Sequence, residues 1–395
     1  MQETDHVGQS HEEGRPNHYW KDAVLPESVA PKGDHPAFPP GNILLTGSTG
    51  YLGGYIMAEL LQDTDAVLYC LVRGRSEGEA RDRLAASLEN RGVAPVPHER
   101  LRVVPGNMAK PNFGLSESEY DSLAESVDAI YHCGAWVNLI VGYPFLKGSN
   151  VDGTFEVLKF ATHRRSIPLH HISTLGVMMR NYGEGTGVVT EDPTPPLPLN
   201  IGYYESKWVS ERLVSQAQAR GLPATVYRPG AILGDSANRL LSPSDWLMQI
   251  TLASLRVGAT PEHEFMLPVS CADFTARCIT DISRTDGSRG GTFHTTHPEP
   301  MPLDTYFEKI RSCRPHLRSV PFARWLDGIR SHYGGNDPMT RLAEAVPGFL
   351  PSPRNGVTTH AASDSARKFH TDRNSVPALD VDYFHGMLAN LESRE

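Results

Sequence analysis

The chain has 395 residues, a net charge of -9 and 39% hydrophobic residues, which is core enough for two to three domains and disfavours general nucleic-acid binding. No apolar run is long enough to cross a membrane and no secretory leader is read, so a cytoplasmic enzyme without a membrane partner is expected. The five cysteines (Cys70, Cys133, Cys271, Cys278, Cys313) show no Cys-x-x-Cys spacing, so no metal site is expected, and Cys70 and Cys133 read as buried strand thiols.

Residues 1–40 are polar, carry six prolines and read as a linker or wrapping segment, with Trp20 near Val24 and Leu25 suggesting that part of it docks. From 41 to 236, strands near 43–46, 67–72, 101–105, 129–133, 167–173 and 224–228 alternate with helical stretches. That alternation predicts an α/β fold, a doubly wound parallel (Rossmann) sheet. The first strand runs into Thr46-Gly47-Ser48-Thr49-Gly50-Tyr51-Leu52-Gly53, and an amphipathic helix follows through Ile56, Leu60 and Leu61. In a dinucleotide loop, Gly47 makes the turn, Gly50 admits a pyrophosphate to the backbone, and Gly53 lets the helix press on the sheet. The free N–H groups at the helix start hold the phosphate charge.

The second strand ends in Arg73-Gly74-Arg75-Ser76, where an enzyme for NAD usually carries an acid for the ribose 2′-hydroxyl. Guanidinium groups suit a 2′-phosphate instead, so NADPH is the expected cofactor. Arg83 either closes on the same phosphate or is a solvated helix charge. Further on, Ser173 and Thr174 end an apolar run, where a hydroxyl either bonds a substrate oxygen or caps backbone. A Gly/Pro-rich loop, 181–199, separates them from Tyr203 and Lys207, four residues apart and on one helix face. The ammonium is expected to lower the phenol pKa and make it a usable acid. Residues 237–395 read as a smaller, mostly helical C-terminal subdomain, with the run Gly291–Thr296 returning to the sheet. The basic run Lys309–Arg330 reads either as a dock for an acidic partner or as a solvated face.

In this order the motifs resemble an extended short-chain dehydrogenase/reductase. They are more closely similar to the thioester reductase domains of nonribosomal peptide synthetases, carboxylic acid reductases and aminoadipate reductases. The residues that carry the likeness are Leu71-Val72-Arg73, Arg83-Leu84, Tyr131 to Ala135 with Val137-Asn138, Asn150-Val151-x-Gly153-Thr154, Ile172-Ser173-Thr174, and Arg228-Pro229-Gly230-x-Ile232-x-Gly234-Asp235. The resemblance is strong over 41–236 and implies NADPH-dependent reduction of an acyl or peptidyl thioester, held on a carrier domain's phosphopantetheine, to an aldehyde or further to an alcohol. It makes Thr174, Tyr203 and Lys207 the catalytic triad. It makes Thr46, Gly47, Thr49, Gly50, Tyr51, Leu52, Gly53, Arg73, Arg83, Asn107, Met108, Gly134, Ala135, Asn138, Ser173, Tyr203, Lys207, Pro229, Gly230 and Ile232 cofactor contacts, with a monomeric domain and a substrate- and carrier-binding C-terminal part expected. Asn107 stands where an Asp is common, and Ser270-Cys271-Ala272-Asp273 departs from the family pattern, with Asp273 expected to cap the following helix. An epimerase or reductase acting on a free small molecule, a non-redox thioester cyclase and a non-catalytic NADPH sensor remain as alternatives.

Overall fold

The computed structural model describes residues 19–89, 98–192, 195, 198–242, 245–299, 301–352, 359–368 and 376–393. Seven strands form the central sheet: β1 (Asn42–Thr46), β2 (Val67–Val72), β3 (Leu101–Pro105), β4 (Ala129–His132), β5 (Leu169–Ile172), β6 (Ala224–Pro229) and β7 (Thr292–Thr295). Their order is β7-β6-β5-β4-β1-β2-β3, and all six pairings are parallel. The chain winds outward in both directions from β1. The crevice beyond the ends of β1 and β4 is therefore the topological switch point, where open α/β sheets bind ligands.

Both faces of the sheet are buried, which is why its strands read as apolar runs. Successive side chains feed opposite cores. Ile43, Leu45, Leu68 and Cys70 pack with Ile56, Leu60, Ala276 and Ile279 of the helices Tyr51–Asp63 and Ala272–Ser283. Leu44, Leu71, Ile130 and Leu169 pack on the other side with Val157, Leu158, Val209 and Leu213 of the helices Gly153–Ala161 and Gly202–Ala219. β5 is shorter than the apolar run that contains it, because Pro168 has no N–H to give to the ladder.

The chain after residue 237 builds a helical layer from Trp246–Val257, Leu303–Cys313, Phe322–Tyr333, Pro338–Phe349 and Val381–Glu392. It packs around fully buried Trp325, Phe307 and Phe349. Local signals start these helices: Asp245, Asp337 and Asp380 each accept hydrogen bonds from first-turn N–H groups, the ordinary work of an N-cap carboxylate. Asp273 does not cap as expected. It lies inside the helix Ala272–Ser283, one residue beyond the start, and its carboxylate accepts from Ser236 N and pairs with Arg277. Two short strand pairs, Ala231–Leu233 with Val269–Cys271 and Met266–Leu267 with Met301–Pro302, bring the segment after β6 against the helical layer.

Of the N-terminal segment, residues 1–18 lie outside the described residues. Residues 19–37 run across the back of the helix Gly202–Ala219. Tyr19, Leu25 and Val29 are buried, while Trp20 stays partly exposed on the edge of Trp208. Gln216 exchanges hydrogen bonds with Leu25 N and Ala23 O, and Arg220 donates to the carbonyls of Leu25, Pro26 and Val29.

Candidate active site

The glycine loop follows β1 directly. Gly47 has φ +75°, and a Cβ there would lie 2.6 Å from Gly134 N, so β1 and β4 can lie this close at their ends only with glycine at position 47. The helix starts with Gly50 N bonded to Gly47 O at 2.7 Å. A Cβ on Gly53 would strike Gly47 O. What Gly53 makes room for is thus the loop's own carbonyl rather than the sheet. Thr46 is buried and its hydroxyl bridges His132 Nδ1 at 2.8 Å and Gly134 N at 3.1 Å, which ties the glycine loop to the β4 end. The Tyr51 hydroxyl donates to the carbonyls of Leu233 and Leu240.

A cavity of about 540 Å³ opens at the switch point. Of the residues picked from sequence, Gly50, Tyr51, Leu52, Gly53, Ala135, Asn138, Ser173, Thr174, Tyr203, Lys207, Pro229, Gly230 and Ile232 line it. Thr46, Gly47, Thr49, Arg73, Arg83, Asn107, Met108 and Gly134 are not in its lining. Met108 instead packs its sulfur where a Cβ of Gly134 would lie, 2.5 Å from that position. Asn107 Oδ1 accepts from Ala109 N, so its acceptor is used in its own turn. Arg73 and Arg83 are exposed beyond the end of β2 and, among the described residues, neither makes an ion pair. Arg75 pairs with Glu79. The loop and Arg73 fit a phosphorylated dinucleotide: the helix start Gly50 to Gly53 lines the cavity, and Arg73 at the second strand's end is an exposed cation without an ion pair among the described residues.

The helix Gly202–Ala219 carries Tyr203 and Lys207 on its buried face. Lys207 is 2% exposed and donates to Ile172 O at 2.8 Å. Burial lowers its pKa to about 8, with Glu211 and Cys133 opposing the shift. Burial also pushes the Tyr203 phenol above its ordinary value, and a hydrogen bond with Thr174 partly offsets this. The expected lowering by Lys207 is not what the structure has. The phenol is buried, so the cost of burying the phenolate outweighs an ammonium that is itself desolvated and turned toward Ile172 O. Thr174 does two things: its hydroxyl accepts from Gly176 N at 3.0 Å, capping the turn Leu175–Met178, and it meets Tyr203. Ser173 is 4% exposed, with its Oγ unbonded among the described residues.

Asn150, one of the residues that carry the family likeness, stands behind the cavity lining rather than in it. Asn150 is buried and bonds Trp136 through both backbone groups and Ser206 Oγ, which in turn donates to Tyr203 O. It holds the loop after β4 and the Tyr203 helix in one frame. Met179, Tyr204, Asp245, Trp246, Leu267 and Leu350 close the rest of the cavity. Cys133, expected to be a buried strand thiol, lies just past β4 and lines the cavity. Three of the six cations of the basic run are engaged within the chain, while Arg318 and Arg324 are exposed. Arg314 pairs with Glu392, Arg330 with Glu344 and Asp327, and Arg311 donates to Thr260 Oγ1. Among the described residues no helix is long and apolar enough to cross a membrane.

Residues 45–279 match the family described as "Male sterility protein". The chain is 32% identical to the terminal R domain from the myxalamid PKS-NRPS biosynthetic pathway, with a TM-score of 0.83 over 95% of this chain and 96% of that one. It is 27% identical to the reductase (R) domain of a nonribosomal peptide synthetase from Mycobacterium tuberculosis, with a TM-score of 0.75 over 94% and 95%. It is also 34% identical, over 81% of its length, to isonitrile lipopeptide synthase of Streptomyces coeruleorubidus, but spans only 22% of that protein. A seven-stranded parallel sheet, a glycine loop at its switch point and a Tyr-x-x-x-Lys helix at the same crevice agree with these likenesses: the chain belongs to the NAD-binding "Male sterility protein" family, beside the reductase domains of peptide synthetases.

Proposed function

We propose that the chain reduces an acyl or peptidyl thioester, held on a carrier domain's phosphopantetheine, and releases it as an aldehyde with NADPH as reductant. The observation that carries this reading is the convergence of Thr174, Tyr203 and Lys207 on one cavity with the glycine-loop helix start and with Pro229, Gly230 and Ile232. The loop Gly47–Gly53 would hold the pyrophosphate, Arg73 and Arg83 a 2′-phosphate, and Pro229 to Ile232 the nicotinamide side. The bound cofactor supplies a hydride to the carbonyl carbon.

The residues of this chain handle the oxygen. Thr174 and Tyr203 donate toward it as negative charge develops, and Tyr203 gives up its proton. A phenol held above its ordinary pKa stays protonated until that charge appears. Lys207, a buried cation at the same wall, favours the phenolate left behind. The resulting thiohemiacetal loses its C–S bond, giving the aldehyde and the free thiol. Asn150 and the Trp136 loop hold Tyr203 in place while this happens. Tyr203 and Lys207 are both buried, and the lower local dielectric strengthens each of these interactions.

The test is to follow NADPH absorbance with an acyl-pantetheine thioester. Turnover is expected, and Tyr203→Phe should lower it by about 10²–10⁴-fold with cofactor binding retained. Near-parental rates in that variant would remove Tyr203 from the role. No oxidation of NADPH with any thioester would overturn the reading.

A further inference from the structure

The wall of the cavity opposite in character to the Thr174–Tyr203–Lys207 group is apolar apart from Ser242 and Asp245. Trp246 packs edge-on against Phe349 at 5.1 Å between ring centres, and Leu350, Leu267 and Tyr204 continue the surface. Asp245 interrupts it. Among the described lining residues Asp245 and Lys207 are the two that carry charge, and Lys207 is held at Ile172 O.

Asp245 caps the helix Trp246–Val257 with one carboxylate oxygen alone. Its Oδ1 accepts from Leu247 N at 2.8 Å and from Met248 N at 3.2 Å. Among the described residues its Oδ2 takes no hydrogen bond and the residue makes no ion pair. A Ser, Thr or Asn would cap the helix equally well, so capping explains one oxygen and leaves the second available to the cavity. Asp245 is half-buried, and a carboxylate oxygen that faces a largely apolar wall without a donor is costly. That cost is relieved by a donor brought in with the substrate.

Resting on the thioester-reductase reading, we propose that Asp245 is a specificity-determining residue whose outer oxygen binds an ammonium or amide N–H on the acyl group. An acyl group of plain hydrocarbon would leave that oxygen unpaired, and such a mismatch discriminates more strongly than an ill-fitting methylene. Burial raises the Asp245 pKa to about 6, so the carboxylate is available at neutral pH.

The experiment compares N-acetylcysteamine thioesters of leucine, N-acetyl-leucine and 4-methylpentanoic acid, with the full chain and NADPH. A leucyl or N-acetyl-leucyl preference of roughly tenfold to hundredfold in kcat/KM over the nitrogen-free compound is expected. It should collapse toward unity in Asp245→Asn, which keeps the capping oxygen. Asp245→Ser, a cap without a carboxylate, serves if the first variant does not fold. A preference for leucine alone identifies the ammonium as the group read, and a preference for both compounds identifies the N–H. Equal use of all three by the parent overturns the proposal. A turnover-free arm separates its failure from that of the underlying reading: leucinol and 4-methylpentan-1-ol are titrated against the fluorescence of Trp246. Tighter binding of leucinol, lost in Asp245→Asn, supports the assignment even if no thioester is reduced, and equal binding overturns it.

Discussion

Arg73 stands exposed at the end of β2, and no ion pair among the described residues uses its guanidinium. A free fork at that place can grip a 2′-phosphate with two parallel bonds. Arg73→Ala is therefore expected to weaken NADPH by about thirtyfold, on the order of 2 kcal/mol, and to leave NADH nearly unchanged. Titration of both nucleotides by fluorescence checks this, and equal affinity in the parent chain would exclude a 2′-phosphate site. The residues that sequence made visible are those whose spacing is local. Gly47, Gly50 and Gly53 lie in one loop, and Tyr203 and Lys207 on one helix turn. Asp245, Trp246 and Leu350 were not visible, because only the helical layer's docking brings them to the cavity and no short pattern encodes that docking. The direction of the Tyr203 shift was missed for a related reason: proximity to an ammonium can be read from spacing, but loss of water cannot.

The helix Gly202–Ala219 serves two ends with one stripe of side chains. One face presents Tyr203 and Lys207, and the next turn sends Glu211 into a fully buried pairing with Arg228 of β6. Arg228 is 0% exposed. Its Nε and Nη2 meet the carboxylate at 2.7–3.2 Å, and Nη1 donates to Asp192 O at 2.8 Å. Breaking such a pair leaves an uncompensated charge in the interior. Glu211→Gln should cost about 3 kcal/mol of stability, seen as a lower denaturant midpoint. A loss below about 1 kcal/mol would mean that water or another group reaches Arg228. At this scale the sequence was informative about which segments form strands and helices, because apolar period and glycine position are chain-local. It was poorer on how an element begins: Asp273 lies two residues past the capping position, which Cys271 holds, a shift that composition does not reveal.

For the whole molecule, the buried histidines set the response to acid. Burial lowers His132, His170 and His294 to about 3 and His171 well below its ordinary value. The unfolded chain takes up these protons near pH 6.5 while the folded chain refuses them. Stability from these groups is thus whole above about pH 6.5 and lost as pH falls toward 3. By about pH 5 each contributes a loss of roughly 2 kcal/mol. Glu59 and Asp245, raised by burial to about 7 and about 6, act in the opposite sense, since the folded state holds their protons more tightly. Four histidines against two carboxylates give a net loss. Urea midpoints measured from about pH 7 to pH 4.5 should fall steadily, and a flat or rising profile would show that the histidines are not buried neutral. The strap at residues 19–37 adds a consequence of another kind. Its bonds to Gln216 and Arg220 join residues 191 to 195 positions apart. At a synthesis rate of about 5–20 residues per second, Tyr19, Leu25 and Val29 leave the ribosome on the order of ten to forty seconds before the surface that covers them exists. The first described segment of the polypeptide is thus seated only after the middle of the chain has been made, and through that interval its apolar side chains are open to chaperones.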